Sequence, residues 1–120
     1  MPGFGPWTAK QGLIHVEPLF AIIEAMVTVR IHLDDVDEDN APLLIAPGSH
    51  RLGRIAERDY AATVERCGMT ACLAAAGDVW CYATPILHAS RASRGDRHRR
   101  VLHVDYAATA LPDGVEWRGI

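Results

Sequence analysis

The chain has 120 residues, 49% hydrophobic and 22% charged, which is the composition of one globular domain with a modest core rather than of a disordered segment. A formal net charge of −3 gives no electrostatic footing for nucleic acid or an anionic membrane surface. No apolar run approaches the roughly 20 residues of a membrane span, and Cys67, Cys72 and Cys81 form no CxxC pair, so they read as reduced thiols of a cytoplasmic protein rather than a disulfide framework or zinc site.

Residues 1–12 are rich in Gly and Pro and read as a loop, with no charged and then apolar leader to suggest a signal peptide. Pro18 suits the first turn of a short helix over residues 19–26. From 27 to 33 the chain alternates: Val27, Val29, Ile31 and Leu33 share one face, and Thr28, Arg30, His32 and Asp34 the other. This predicts a strand with one polar face. An acidic turn follows at 34–40, then a short apolar strand at 43–46 that Pro47-Gly48 stops. Residues 55–67 read as a surface helix with Gly68 just past its end.

A strand is expected at 69–73, a tight turn at Gly77-Asp78, and strands at 79–82 and 86–90, with Pro85 allowed only at a strand edge or start. Residues 90–98 form a basic loop. The last strand, 99–107, alternates again, with Arg99, Val101, His103 and Asp105 opposed to Arg100, Leu102, Val104 and Tyr106. Five or six short strands punctuated by Gly and Pro predict a mainly β fold, a sandwich or barrel with one or two short helices. A full jelly roll has eight strands, so the chain reads as a single domain forming the back part of such a barrel.

The pattern with chemical content is a histidine closing one apolar strand, His88, and an arginine opening the next, Arg99, eleven positions on. Ser90 stands two residues from His88 and so on the same side of a strand. A 2-His-1-carboxylate triad leaves iron open positions for other ligands, and an arginine fork binds a carboxylate in bidentate fashion. Two local pairs have the His-x-acid spacing that puts both side chains on one strand face: His32-Leu33-Asp34 and His15-Val16-Glu17. The bland reading is a structural strand histidine, with Arg94, Arg97, Arg99 and Arg100 as a solvated basic edge. His103 and Asp105 either point into the barrel or form a solvated face.

Two longer words surround these residues. Asp39-Asn40-Ala41-Pro42-Leu43-Leu44 through Pro47-Gly48-Ser49-His50-Arg51, then Gly77-Asp78 through His88-Ala89-Ser90 and Arg99, resemble the phytanoyl-CoA dioxygenase family over about residues 27–107. That resemblance implies a double-stranded β-helix (jelly-roll, cupin-like) fold, incomplete here, and Fe(II)- and 2-oxoglutarate-dependent hydroxylation of a small molecule. It assigns His88 as the distal metal ligand, with Arg99, Ser90 and Arg30 on the 2-oxoglutarate side. It places the family's His-x-Asp on an earlier strand, ahead of Met1, which makes the chain a C-terminal portion and leaves His32 and Asp34 as lesser ligand candidates. Ala41 stands where the family has glycine, which suggests a turn without positive φ.

A chain of this kind, lacking early strands, is expected to associate with itself through exposed sheet edges. The alternatives are a non-catalytic barrel remnant acting as a binding or oligomerisation module, and a cupin-like metal protein that does not use 2-oxoglutarate.

Overall fold

A computed structural model of the chain describes residues 19–117, together with the backbone of the strands Trp7–Lys10 (β1) and Leu13–Val16 (β2). β1 and β2 pair antiparallel, Trp7 opposite Val16 and Lys10 opposite Leu13. The loop expected over residues 1–12 is corrected by β1. The Gly and Pro content of the first six residues does not extend into Trp7-Thr8-Ala9-Lys10, and the Ile14- and Val16-bearing segment supplies a β-prone partner.

A one-turn helix, α1 (Phe20–Glu24), follows. It is shorter than the expected 19–26 because Met26 and the β-branched run Val27-Thr28-Val29 turn to sheet, and Met26 enters the core instead. The remaining strands are β3 (Val27–His32), β4 (Leu43–Ile45), β5 (Thr70–Cys72), β6 (Val79–Ala83), β7 (His88–Ser90) and β8 (Val101–Tyr106). Two 3₁₀ turns, Ser49–Arg51 and Glu57–Asp59, and the helix α2 (Tyr60–Cys67) fill the connection from β4 to β5. α2 begins later than residue 55, because the first turn of that segment is 3₁₀, and it ends on Gly68 at φ 74°.

The strands form two three-stranded antiparallel sheets, ordered β6-β3-β8 and β5-β4-β7. After β5 the chain alternates between the sheets, β6 in the first, β7 in the second and β8 back in the first. This is the weave of a jelly roll, here with fewer strands than a closed one.

The sheets face one another. Tyr82 stands beside Thr28 on the first sheet, and its ring centroid lies 6.4 Å from that of His88 on the second. Between them lies a small core. Leu43 pairs with Cys72, and both are buried, with Val36, Ala46 and Ile86 nearby in the buried set.

The orientation of β3 decides everything that follows. Its polar face is the inner one: Thr28 and His32 are 1% and 2% exposed, whereas Val27 and the following Leu33 stand open to solvent. The β8 positions opposite follow suit, His103 beside Arg30 and Asp105 beside Thr28.

Two buried side chains lock the connections. Asn40 donates through Nδ2 to the carbonyls of Asp35 and His98, both at 3.1 Å, and accepts from Ser93 Oγ at 3.3 Å. Ser49 Oγ accepts the Leu87 N–H at 2.9 Å, and the Leu87 carbonyl accepts the Ala46 N–H at the same distance. Ala41 adopts φ 48°, the left-handed region, while buried. The expectation of a turn without positive φ is therefore corrected. The Asn40 bonds on one side and β4 on the other hold the backbone in a shape glycine would take freely.

Candidate functional site

The inner face of β3 carries the site. Thr28, Arg30 and His32 alternate along it, flanked in register by Tyr82 and Trp80 on β6 and by Val101, His103 and Asp105 on β8. Three buried polar atoms here have no hydrogen-bond partner among the described residues: Arg30 Nε and both ring nitrogens of His32. His50 Nδ1, on the turn after Pro47-Gly48, is a fourth. Buried polar groups are nearly always satisfied, and each exception calls for a missing partner. Three such atoms on two successive inner positions of one strand make this face the candidate site for a polar ligand.

The electrostatics give its sign. Burial holds His32 below its ordinary pKa; the Arg30 and Arg99 cations push the same way and Asp78 opposes them. Burial and the Arg30 and Arg99 cations thus both favour the uncharged form of His32. Arg30 also pulls down on the Tyr82 hydroxyl and the Cys72 thiol, although burial raises both overall. The guanidinium thus lies within reach of both sheets. Cys72 stays a protonated, inert thiol.

Arg99 differs from its neighbours. Arg94 pairs with Asp39 at 3.7 Å, Arg97 with Asp37 at 2.6 Å and Arg100 with Asp34 at 2.8 Å. Arg99 has no carboxylate partner among the described residues, is half-buried and acts on His32. Asn40 holds the carbonyl of His98, the residue before it. The solvated basic edge is thus made of Arg94, Arg97 and Arg100, and Arg99 stands apart on the inner side.

His88 sits on β7 opposite Ile45, with Ser90 opposite Leu43 and on the same face; both are exposed on this edge strand. The His88 Nδ1 lies 2.9 Å from the Ile86 carbonyl. With Nδ1–H donating there, Nε2 keeps its lone pair, which is how a metal-binding imidazole is oriented. Ser49 fixes the adjoining Leu87, so the Pro-Gly-Ser-His word holds the histidine strand in place. An open groove of about 390 Å³ has His88 among its lining residues, with Tyr60, Val64 and Met69 on one side and Thr84, Ile86 and Leu87 on the other.

The remaining candidates are not brought into a metal centre. Among the described residues, no group of three His, Cys, Asp or Glu side chains could hold a metal ion. The Asp34 carboxylate accepts from Arg100 Nε, Nη2 and backbone N–H at 2.7–2.9 Å. That cage holds it far below the usual carboxylate range. His15 lies on β2 opposite Thr8, but its side chain and Glu17 fall outside the described residues.

The sequence pattern does not announce the roles of Asn40 and Ser49. Nor does it announce the relay in which Thr84 donates to Thr28 at 2.9 Å, Thr28 to Asp105 at 2.6 Å, and His103 Nε2 meets Asp105 at 3.1 Å. The two family words contain Asn40 and Ser49, so the signal was present without its meaning. His103 and Asp105 lie on the inner face, half-exposed.

The model of the family Phytanoyl-CoA dioxygenase (PhyH) matches residues 2–101. The match reaches well upstream of residue 27, the start of the stretch over which the sequence itself shows the resemblance. Three crystal structures of EctD from S. alaskensis also match: the apoform, one with bound Fe, and one with 2-oxoglutarate and 5-hydroxyectoine. Each is 25% identical with a TM-score of 0.63, covering 69% of this chain and 31% of its own. The chain thus spans about a third of the length of those structures. No curated protein matches it. No helix among the described residues is long and apolar enough to cross a membrane.

Proposed function

The chain belongs to the phytanoyl-CoA dioxygenase family, and on that footing we propose that it supplies the co-substrate side of an Fe(II)/2-oxoglutarate-dependent dioxygenase acting on a small molecule. The observation that carries this reading is the orphaned polar face, Arg30 Nε with His32 Nδ1 and Nε2, lying beside an unpaired Arg99. These groups suit 2-oxoglutarate. Arg99 and Arg30 would pair with a carboxylate, Ser90 would offer a hydroxyl from the facing sheet, and neutral His32 would donate without adding charge. The arginines neutralise and orient the dianion, and the surrounding sheet walls exclude water. Bound 2-oxoglutarate supplies the reducing equivalents of a hydroxylation.

Iron fits less well. His88 would present Nε2 when its Nδ1–H donates to the Ile86 carbonyl, but the described residues complete no three-ligand group around it. The groove lined by Tyr60, Val64, Met69, Ile86 and Leu87 would take the apolar part of a substrate beside His88.

Anaerobic calorimetry with Mn(II) and 2-oxoglutarate tests the reading. We expect 2-oxoglutarate to bind, metal affinity to rise in its presence, and His88→Ala to abolish that rise. Equal metal affinity in wild type and His88→Ala would remove His88 from the site. The second reading, a non-catalytic barrel that only binds, draws on the missing three-ligand group among the described residues. It predicts no succinate formed from 2-oxoglutarate under iron and air.

A further inference from the structure

The hydroxyl relay on the inner face has a fixed direction. Thr84 Oγ1 lies 2.9 Å from Thr28 Oγ1, and Thr28 Oγ1 lies 2.6 Å from Asp105 Oδ1. A carboxylate only accepts, so Thr28 donates to Asp105. A hydroxyl carries one proton, so Thr28 can only accept from Thr84. Thr84 therefore donates, and its own proton is spent. Thr28 is 1% exposed, so water does not compete for its bonds. The Thr84 end of the relay opens on the groove beside His88, whose other lining residues include Val64, Met69, Ile86 and Leu87. What Thr84 keeps for an occupant of that groove is lone pairs alone. At the other end, Thr28 and His103 Nε2 both meet Asp105 at Oδ1, and the Asp105 side chain is half-exposed.

We infer that the groove selects a substrate carrying an ammonium group on a short apolar stem, the ammonium donating to Thr84 Oγ1 with the Asp105 carboxylate behind it. This rests on the reading of the groove as the substrate side of a dioxygenase, and names the substrate class. Three considerations select that chemistry. A carboxylate, phosphate or carbonyl end would meet the lone pairs of Thr84 and find no proton there, which is a penalty rather than a missing gain. An alcohol satisfies Thr84 but draws nothing from the charge of Asp105, whereas an ionised donor makes a hydrogen bond about twice as strong as a neutral one. The sheet also separates the two ends by sign. Asp105 stands opposite Thr28, Arg30 lies two positions along β3, and Arg99 lies beyond Val101, which stands opposite His32. An anionic co-substrate and a cationic substrate would thus take opposite ends of one face. The stem would lie along Val64, Met69, Ile86 and Leu87.

Three probes sharing one stem test this: isopentylammonium, isopentyl alcohol and 4-methylpentanoate. Each is titrated into the 120-residue chain, without metal or 2-oxoglutarate, and followed by amide chemical shifts. On the unaltered chain isopentylammonium should bind at least about tenfold more tightly than 4-methylpentanoate and about threefold more tightly than the alcohol, with the shifts centred on Thr84 and Leu87. Thr84→Val should weaken the ammonium and the alcohol at least about threefold. Asp105→Asn keeps an oxygen that accepts from Thr28, so it should weaken the ammonium and leave the alcohol unchanged. The proposal is overturned by no binding of the ammonium, by 4-methylpentanoate or the alcohol binding as tightly, or by ammonium affinity unchanged in both variants. The comparison on the unaltered chain needs neither variant to fold. A parallel titration of 2-oxoglutarate separates the two readings. Binding of 2-oxoglutarate without a preference for the ammonium sinks this inference alone, and an ammonium preference without 2-oxoglutarate binding sinks the dioxygenase reading and leaves the polarity of the groove standing.

Discussion

His32 shows how much a single buried residue can report. Its pKa is lowered in the folded state, chiefly by burial and then by Arg30. The unfolded chain, with a value near 6.5, therefore takes up a proton more readily than the folded one. Stability from this residue is complete above the unfolded value and is lost as pH falls through it toward the lower folded value. The urea midpoint should accordingly drop as the pH falls below about 6.5, and His32→Asn should flatten that part of the profile. Asp34 and Asp37, held down by Arg100 and Arg97, stay charged across the same window and add their loss only under stronger acid. Asn40 offers a second measurement. Asn40→Ala strands two carbonyls, of Asp35 and His98, and should cost about 1–3 kcal/mol in denaturant unfolding. It should also weaken 2-oxoglutarate binding, because the His98 bond steadies the backbone just ahead of Arg99.

At the scale of elements, the strained turn and the tied strands carry the predictions. Ala41→Gly removes a left-handed alanine at φ 48° and should raise stability by about 1 kcal/mol, read as a shift in urea midpoint without a change in slope. Ser49→Ala leaves the Leu87 N–H without its acceptor and should cost about 1–3 kcal/mol while loosening the strand that bears His88. The alternation of Val27 to Asp34 made β3 legible and told its faces apart, because period two is a local property. Which face looked inward was not local. It depended on pairing with β6 and β8, some fifty and seventy residues away, and only the polar content of the opposite β8 face hinted at it. β1 was obscured by the Gly and Pro residues just before it. The Asn40 and Ser49 ties join segments far apart in the chain, so no spacing rule reveals them, although both sit inside the words that carried the family resemblance.

For the whole molecule, the account is of a partial jelly roll with two unlike faces on one sheet. On the inner face buried polar groups lack partners among the described residues, and the outward face is apolar and uncharged. In the proposed function the inner face would offer Arg30 and Arg99 to 2-oxoglutarate, while the described residues hold no complete set of iron ligands. The central claim is therefore recognition of 2-oxoglutarate by the inner face, and a metal-free calorimetric titration of 2-oxoglutarate into three proteins tests it most directly. Wild type and Arg97→Ala, whose arginine is occupied by Asp37 on the outside, should bind alike, and Arg99→Ala should bind at least about tenfold more weakly, as expected for losing a bidentate charge-assisted contact. Equal affinity in wild type and Arg99→Ala, or no binding to the folded wild-type chain, would contradict it.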